Sequence, residues 1–225
     1  MKNKLSIILS TILLLCFINP SYSNAMQSVD IKEINEVGNM KIHDISELST
    51  INIKDTYSYE EYLLEKLKLG LISQNEYDIN KNNIQLMARF GSSVRYAKFR
   101  MNTYEIINSL GSNYKLQPIF MVGLEYLDNS VSPTRIVELT DPYIYTGGGK
   151  ECLFSGKIFF RLESGNSFYY DVYGDVYKTG KLNWSAGASV GIGKFATANF
   201  TISNGSGYIK NVSFDGRYYS AGMMK

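Results

Sequence analysis

The chain has 225 residues, of which 44% are hydrophobic, 20% charged and 13% aromatic, with a formal net charge of +2. That is enough apolar material for the core of one or two small domains, and it excludes disorder as a global description. Nineteen Gly without a three-residue period and only two Cys exclude a collagen-like chain and a disulfide-dense miniprotein. A single His leaves almost nothing for a His-based active site.

The first 25 residues read as an export signal. Met1 to Lys4 is basic, Leu5 to Ile18 is apolar, Asn19-Pro20 breaks the run, and small residues follow at Ser21, Ser23 and Ala25. Cleavage is expected after Ala25, with Ser23 as the second candidate; the apolar run is too short for a permanent membrane helix. The expected destination is outside the cell or on its surface. Removing Lys2 and Lys4 balances basic against acidic side chains, which argues against nucleic acid as a partner. Cys16 leaves with the signal, so Cys152 becomes the only thiol. Cys152-Leu153-Phe154 opens an apolar strand-like run, and burial of the thiol is expected.

Residues 26–57 are polar and mixed and predict a flexible N-terminal arm, with a short strand over Ser49 to Lys54 and a solvated His43. Residues 58–90 predict a helical hairpin. Ser58-Tyr59-Glu60-Glu61 is a capping box, Tyr62, Leu63, Leu67 and Leu69 form an apolar stripe, and Gly70 is placed to stop the helix. Ser73-Gln74-Asn75-Glu76 repeats the box, with Tyr77, Ile84 and Met87 on the buried side of a second helix reaching about Ala88. Through Leu63, Leu67, Gly70, Leu71, Ile72, Ser73, Glu76, Tyr77 and Lys81 this segment resembles the bacterial short C-terminal domain (SHOCT) hairpin. That resemblance implies interaction or oligomerisation and no catalysis. In its signal and its Lys/Asn/Ile-rich style, the whole chain resembles the small exported proteins of low-GC Gram-positive bacteria.

Residues 91–225 predict an antiparallel β domain. Ser93 to Met101 alternates, with Val94 and Tyr96 on one side and Ala97, Phe99 and Met101 on the other. Asn102 to Leu110 suggests a short helix or turn. Tyr114, Leu116, Phe120, Val122, Leu124 and Tyr126 line one face of a long strand in which Pro118 implies an edge or a bulge. Brief strands at Ile136 to Leu139 and Tyr143 to Tyr145 are divided by Asp141-Pro142. Cys152 to Leu162 and Ser167 to Tyr177 form a hairpin joined by Glu163-Ser164-Gly165-Asn166. Trp184 to Ile192 and Phe195 to Ile202 suggest another, and Tyr208 to Phe214 and Arg217 to Ala221 suggest two closing strands. The class is α+β: a short helical hairpin followed by a predominantly antiparallel β sandwich or barrel.

No catalytic or metal-ligating set emerges, and no cofactor is expected. Ser-His-Asp and Cys-His arrangements would have to use His43; one His and one Cys cannot close a zinc site. Thr146-Gly147-Gly148-Gly149-Lys150 lacks the spacing of a phosphate loop. Carboxylates remain: Asp171 and Asp175 share strand parity, with Glu163 and Asp215 nearby, as a glycosidase pair would need. The aromatic residues point elsewhere. On an alternating strand Tyr169, Asp171 and Tyr173 share one face, while Phe168, Tyr170 and Val172 share the other; one face must be core, and exposed Tyr suits peptide or sugar contact. The leading expectation is a secreted, non-enzymatic binding protein for a protein, cell-wall or glycan ligand. An alternative is a membrane-active protein inserting residues 183–203. There Trp184, Ala186, Ala188, Val190 and Ile192 form one apolar file, and Ala196, Ala198, Phe200 and Ile202 form the other.

Overall fold

The computed structural model describes residues 27–28, 40–68, 71–87, 92–107, 111, 113–147, 149–184 and 189–224, with the backbone alone at 27–28, 82–87 and 184. The expected signal at 1–25 lies outside the described residues. In chain order the elements are β1 (Gln27–Ser28), β2 (Ile42–Asp44), β3 (Tyr57–Ser58), α1 (Tyr59–Lys68), α2 (Gln74–Met87), β4 (Ser92–Arg100) and β5 (Tyr104–Ile107). There follow β6 (Asn113–Leu127), β7 (Arg135–Tyr145), β8 (Leu153–Ser164), β9 (Ser167–Trp184), β10 (Ser189–Gly191) and β11 (Phe195–Tyr219). This is an α+β chain of mainly antiparallel sheets with two short helices, and among the described residues no sheet closes into a barrel.

One sheet, on the helix side, runs β10-β7-β6-β4-β2, with β3 also on β4 and β5 also on β6. All its pairings are antiparallel except β2 with β4. The other, the C-terminal sheet, contains β1, β8, β9 and β11. Period-two alternation decides what lies between them. Leu116, Phe120, Val122, Leu124 and Tyr126 of β6 join Phe160, Phe168, Tyr170 and Val172 of the C-terminal sheet in one core. Phe120 is the hinge of that contact, its ring centroid 5.6, 6.0 and 5.7 Å from those of Phe160, Phe168 and Tyr170. Burying each such ring contributes about 2–3 kcal/mol. The opposite face of the helix-side sheet receives α1, where Tyr62 packs with Met40, Tyr96 and Met121.

The helices begin where the capping boxes predict. The Ser58 amide donates to Glu61 Oε2 at 2.6 Å, and the Glu61 amide returns a bond to Ser58 Oγ at 3.2 Å. Ser73 and Glu76 repeat the exchange at 2.8 and 3.3 Å. Lys81 of α2 reaches Glu60 of α1 at 2.6 Å, tying the hairpin together. The side chains of Ile84 and Met87, and all of Leu69 and Gly70, lie outside the described residues.

In the C-terminal sheet, β8 and β9 form the expected hairpin, in register from Leu153 opposite Tyr177 to Leu162 opposite Phe168. β11 then changes partner along its 25 residues. Phe195 to Phe200 pairs with β8, and from Phe200 to Tyr219 the strand pairs with β9. The switch falls at Phe200, opposite both Gly156 and Trp184. Gly156 faces Gly174 there: a Cβ on Gly156 would sit 2.2 Å from the Tyr173 carbonyl oxygen, and one on Gly174 2.3 Å from that of Ser155. The backbones approach more closely than any larger residue allows.

Several expectations change. From Met40 onward the segment expected as part of a flexible arm is built into the helix-side sheet through β2 and β3, and it buries Leu48 and Ile51 in the main core. Ser49 to Lys54 is not a strand; Ile53–Asp55 is a single 3-10 turn. His43 is not solvated: it is 3% exposed, with Nδ1 3.1 Å from Glu47 and the ring 5.6 Å from that of Phe99. Tyr104–Ile107 is a strand rather than a helix or turn. β6 is flanked on both sides, and Pro118 sits where its neighbours β4 and β5 are interrupted, accepting the Met101 amide at 2.8 Å. β7 passes through Asp141-Pro142 without ending. Asp141 takes φ +44° there, and the register against β6 shifts between Ile119 and Met121, as in a bulge. The two closing strands are one strand, β11, with register shifts near Ser203 and Tyr208.

Candidate functional site

The outer face of the C-terminal sheet gathers the predicted contact residues. Odd-numbered residues of β9 point outward while Phe168, Tyr170, Val172 and Val176 fill the core, so Tyr169, Asp171 and Tyr173 share one side as expected. Register places other strands' residues beside them. Arg161, Tyr169 and Arg217 form one row, and Phe159, Asp171 and Asp215 the next; Lys157, Tyr173 and Ser213 form a third. The first part of β11 extends the rows past β8, setting Phe195 beside Arg161 and Thr197 beside Phe159. Tyr173 stands well out at 59% exposure, Tyr219 at 60% and Phe195 at 69%.

Rings cross this face from strand to strand. Phe195 lies 5.7 Å from Phe159, Phe159 lies 6.4 Å from Tyr169, and the Arg217 guanidinium covers Tyr169 at 5.7 Å. Arg161 and Arg217 both bind Glu163, at 2.5 and 3.2 Å. The Tyr169 hydroxyl lies near the Asp171 and Asp215 carboxylates. Desolvation, then the nearby Asp171 and Asp215 carboxylates, hold that hydroxyl above the usual phenol range, with Arg217 opposing. The face therefore carries flat rings in a field of mutually compensated charge.

The carboxylate pair expected for glycoside cleavage is separated. β9 runs unbroken from Asp171 to Asp175, so the two lie about 13 Å apart along the strand, beyond the spacing such chemistry uses. Asp175 accepts from Asn211 at 2.9 Å, and the residue opposite Asp171 is Asp215.

The apolar files of residues 183–203 do not form a hairpin together. Val190 lies in β10, which pairs with β7 of the other sheet, and Ala196, Ala198 and Phe200 lie on β11 against β8. The alternation itself holds: Ala198 and Phe200 are buried, Ala196 and Ile202 partly so, and Thr197, Asn199 and Thr201 exposed. Ile192 is exposed; Trp184 is the last residue of β9, and Ala186 and Ala188 lie outside the described residues. An alternating run is thus shared between two sheets, because alternation records burial and not pairing partner.

A second polar group lies beneath α1. The Tyr62 hydroxyl donates to Asp141, Lys66 Nζ reaches Asp141 at 3.0 Å, and the Tyr96 hydroxyl donates to Glu138 at 2.5 Å. Tyr62 and Tyr96 stack at 4.6 Å, and burial lifts both hydroxyls well above the usual phenol range. Lys98, 4% exposed, is pushed down to about 8 by burial, against the pull of Glu65 and Asp141. The left-handed Asp141 is held on both sides by α1, so this group fixes the helix to the sheet. Cys152 is 1% exposed in the core, its thiol pushed up to about 11 by burial. Among the described residues no three His, Cys, Asp or Glu side chains gather to hold a metal ion.

Comparison with protein-family models, with curated proteins and with solved structures returns no match. Phe159, Arg161, Phe195 and Arg217 share this face with Tyr169, Asp171 and Tyr173, and sequence reasoning missed them. Phe159 reads as core within Ile158-Phe159-Phe160, yet parity with Lys157 and Arg161 marks it as outward-facing.

Proposed function

We propose that the protein is an exported, non-enzymatic binding module, a two-sheet sandwich that contacts its ligand through the outer face of the C-terminal sheet. The observation that carries this reading is the division of labour within three strands. β8, β9 and β11 spend one face on the core and place Phe159, Tyr169, Tyr173 and Phe195 on the other. Exposed rings amid paired charge are the composition of a contact surface rather than of an idle one. The export signal read at 1–25 supports a ligand outside the cell, on a wall, a glycan or a surface protein. No helix among the described residues is long and apolar enough to cross a membrane.

The test is retention of the purified protein on intact Gram-positive cells. A Tyr173→Ala/Phe195→Ala double variant should lose at least tenfold in retention while keeping its circular dichroism and melting temperature, because neither side chain supports the core. Equal retention of the two proteins would refute the assignment of this face.

A further inference from the structure

From the outer face of the C-terminal sheet we infer the class of ligand: a neutral, linear glycan lying across the strands. The inference rests on the binding reading above and narrows it. The rings of Phe195, Phe159 and Tyr169 follow one another across β11, β8 and β9 at 5.7 and 6.4 Å, ending where Arg217 covers Tyr169. Each step is close to the length of one sugar unit, so consecutive units can set an apolar face on Phe195 and then on Phe159, and a third meets Tyr169 together with the Arg217 guanidinium over it. Stacking of this kind suits a pyranose because its axial C–H groups form a flat apolar patch while its hydroxyls project from the rim. The row that holds Phe159 also supplies partners for those hydroxyls. Thr197 stands next to Phe159, with Asp171 and Asp215 beyond it.

Charge selects against the other extracellular polymers. A polyanion needs a surplus of cations, yet Arg161 and Arg217 are both committed to Glu163, at 2.5 and 3.2 Å. A polycation would find Asp171 and Asp215, but also Lys157 in the row on one side of them and both arginines in the row on the other. The neighbouring rings are tilted, by 34° between Phe195 and Phe159 and by 59° between Phe159 and Tyr169. The platform turns along its length, as a glycan does when successive sugars rotate about their linkages. A peptide lying across the strands runs at an angle to the ladders and so adds no strand to them.

The experiment is calorimetric titration of the purified protein with cellohexaose, chitohexaose, maltohexaose and laminarihexaose, each beside its disaccharide. The expected result is saturable binding of at least one hexasaccharide, at least tenfold tighter than its disaccharide and unchanged between low and high salt. Phe159→Ala and Tyr169→Ala should each weaken it tenfold or more, while Asp175→Asn, placed away from the ring row, leaves it intact. Circular dichroism checks that each variant is folded. Failure of all four hexasaccharides, or affinity indifferent to chain length, overturns the glycan inference. If cell retention still depends on Tyr173 and Phe195 in that case, the binding face stands with a different ligand. If retention is also indifferent to them, both readings fall.

Discussion

Lys98 sits on β4 at 4% exposure, and its amine is pushed down to about 8 because burial penalises the charged form more than Glu65 and Asp141 favour it. The folded-state value lies below the unfolded one, so the sign is fixed. Below pH 8 both states hold the proton and the penalty is complete. Between about 8 and 10.5 the unfolded chain still binds it while the native protein does not, and stability rises with pH. Replacing the amine with an apolar side chain of similar length, Lys98→Met, should therefore stabilise the fold at pH 7, by up to about 3 kcal/mol. The gain should shrink as the pH approaches 10. Urea unfolding of both proteins across this range measures it, and a variant no more stable at pH 7 would show that the buried amine is fully compensated. Nothing in Tyr-Ala-Lys-Phe announced this burial, because alternation predicts Lys98 on the polar side. That side is covered by α1, which sequence places nearby in the chain but not in space.

Among the elements, the helix starts were the most legible, since a capping box is a local device that needs only four residues. Ser58→Ala removes the oxygen that accepts the Glu61 amide and should cost about 1 kcal/mol of stability at neutral pH. Glu61 is held below the usual carboxylate range, first by the Ser58 amide and then by the Ser58 hydroxyl. Its stabilisation is present above the unfolded value and is lost as the pH falls through the folded one. Glu61→Gln should thus be less stable than the parent near neutrality, with the gap closing below about pH 4; chemical denaturation at the two ends of that range decides it. Strands were legible by face and not by extent. β6 displays its inward file as predicted, whereas β11 was read as several pieces because Gly205, Gly207 and Asp215-Gly216 resemble turns. Gly205 lies in the register shift between Ser203 and Ser206, Gly207 takes φ +66° between the two shifts, and Gly216 lies under the Tyr170 ring, where a Cβ would meet the phenol oxygen at 2.4 Å. A glycine that admits a neighbouring ring and one that turns the chain look alike until the partner strand is known.

At the scale of the molecule, the N-terminal segment, the helices and both sheets share their burial. Leu48 and Ile51 enter the core that Phe120 and Phe160 define, and Leu71, between the helices, packs against it. Leu48 is fully buried, so Leu48→Ala should cost about 2–5 kcal/mol, and the loss should appear equally in the melting of helix and strand signals. Separate transitions for the two signals would mean that the segment before α1 folds apart from the sheets. The candidate face was half legible on the same grounds. Tyr169, Asp171 and Tyr173 follow from the parity of one strand, while Phe195 and Arg217 join them only through the pairing of distant segments. That pairing also sets the order of events in time. β8 and β9 form a local hairpin, but each keeps one bare edge until β11 arrives, and β11 is the last strand in the chain. The early hairpin thus carries two open ladders and half a core, and its completion waits on long-range closure, the slow kind of contact to make. Residues 153–184 cannot lock into their final form until the strand that follows them is present, a delay that would suit the export we propose for this chain.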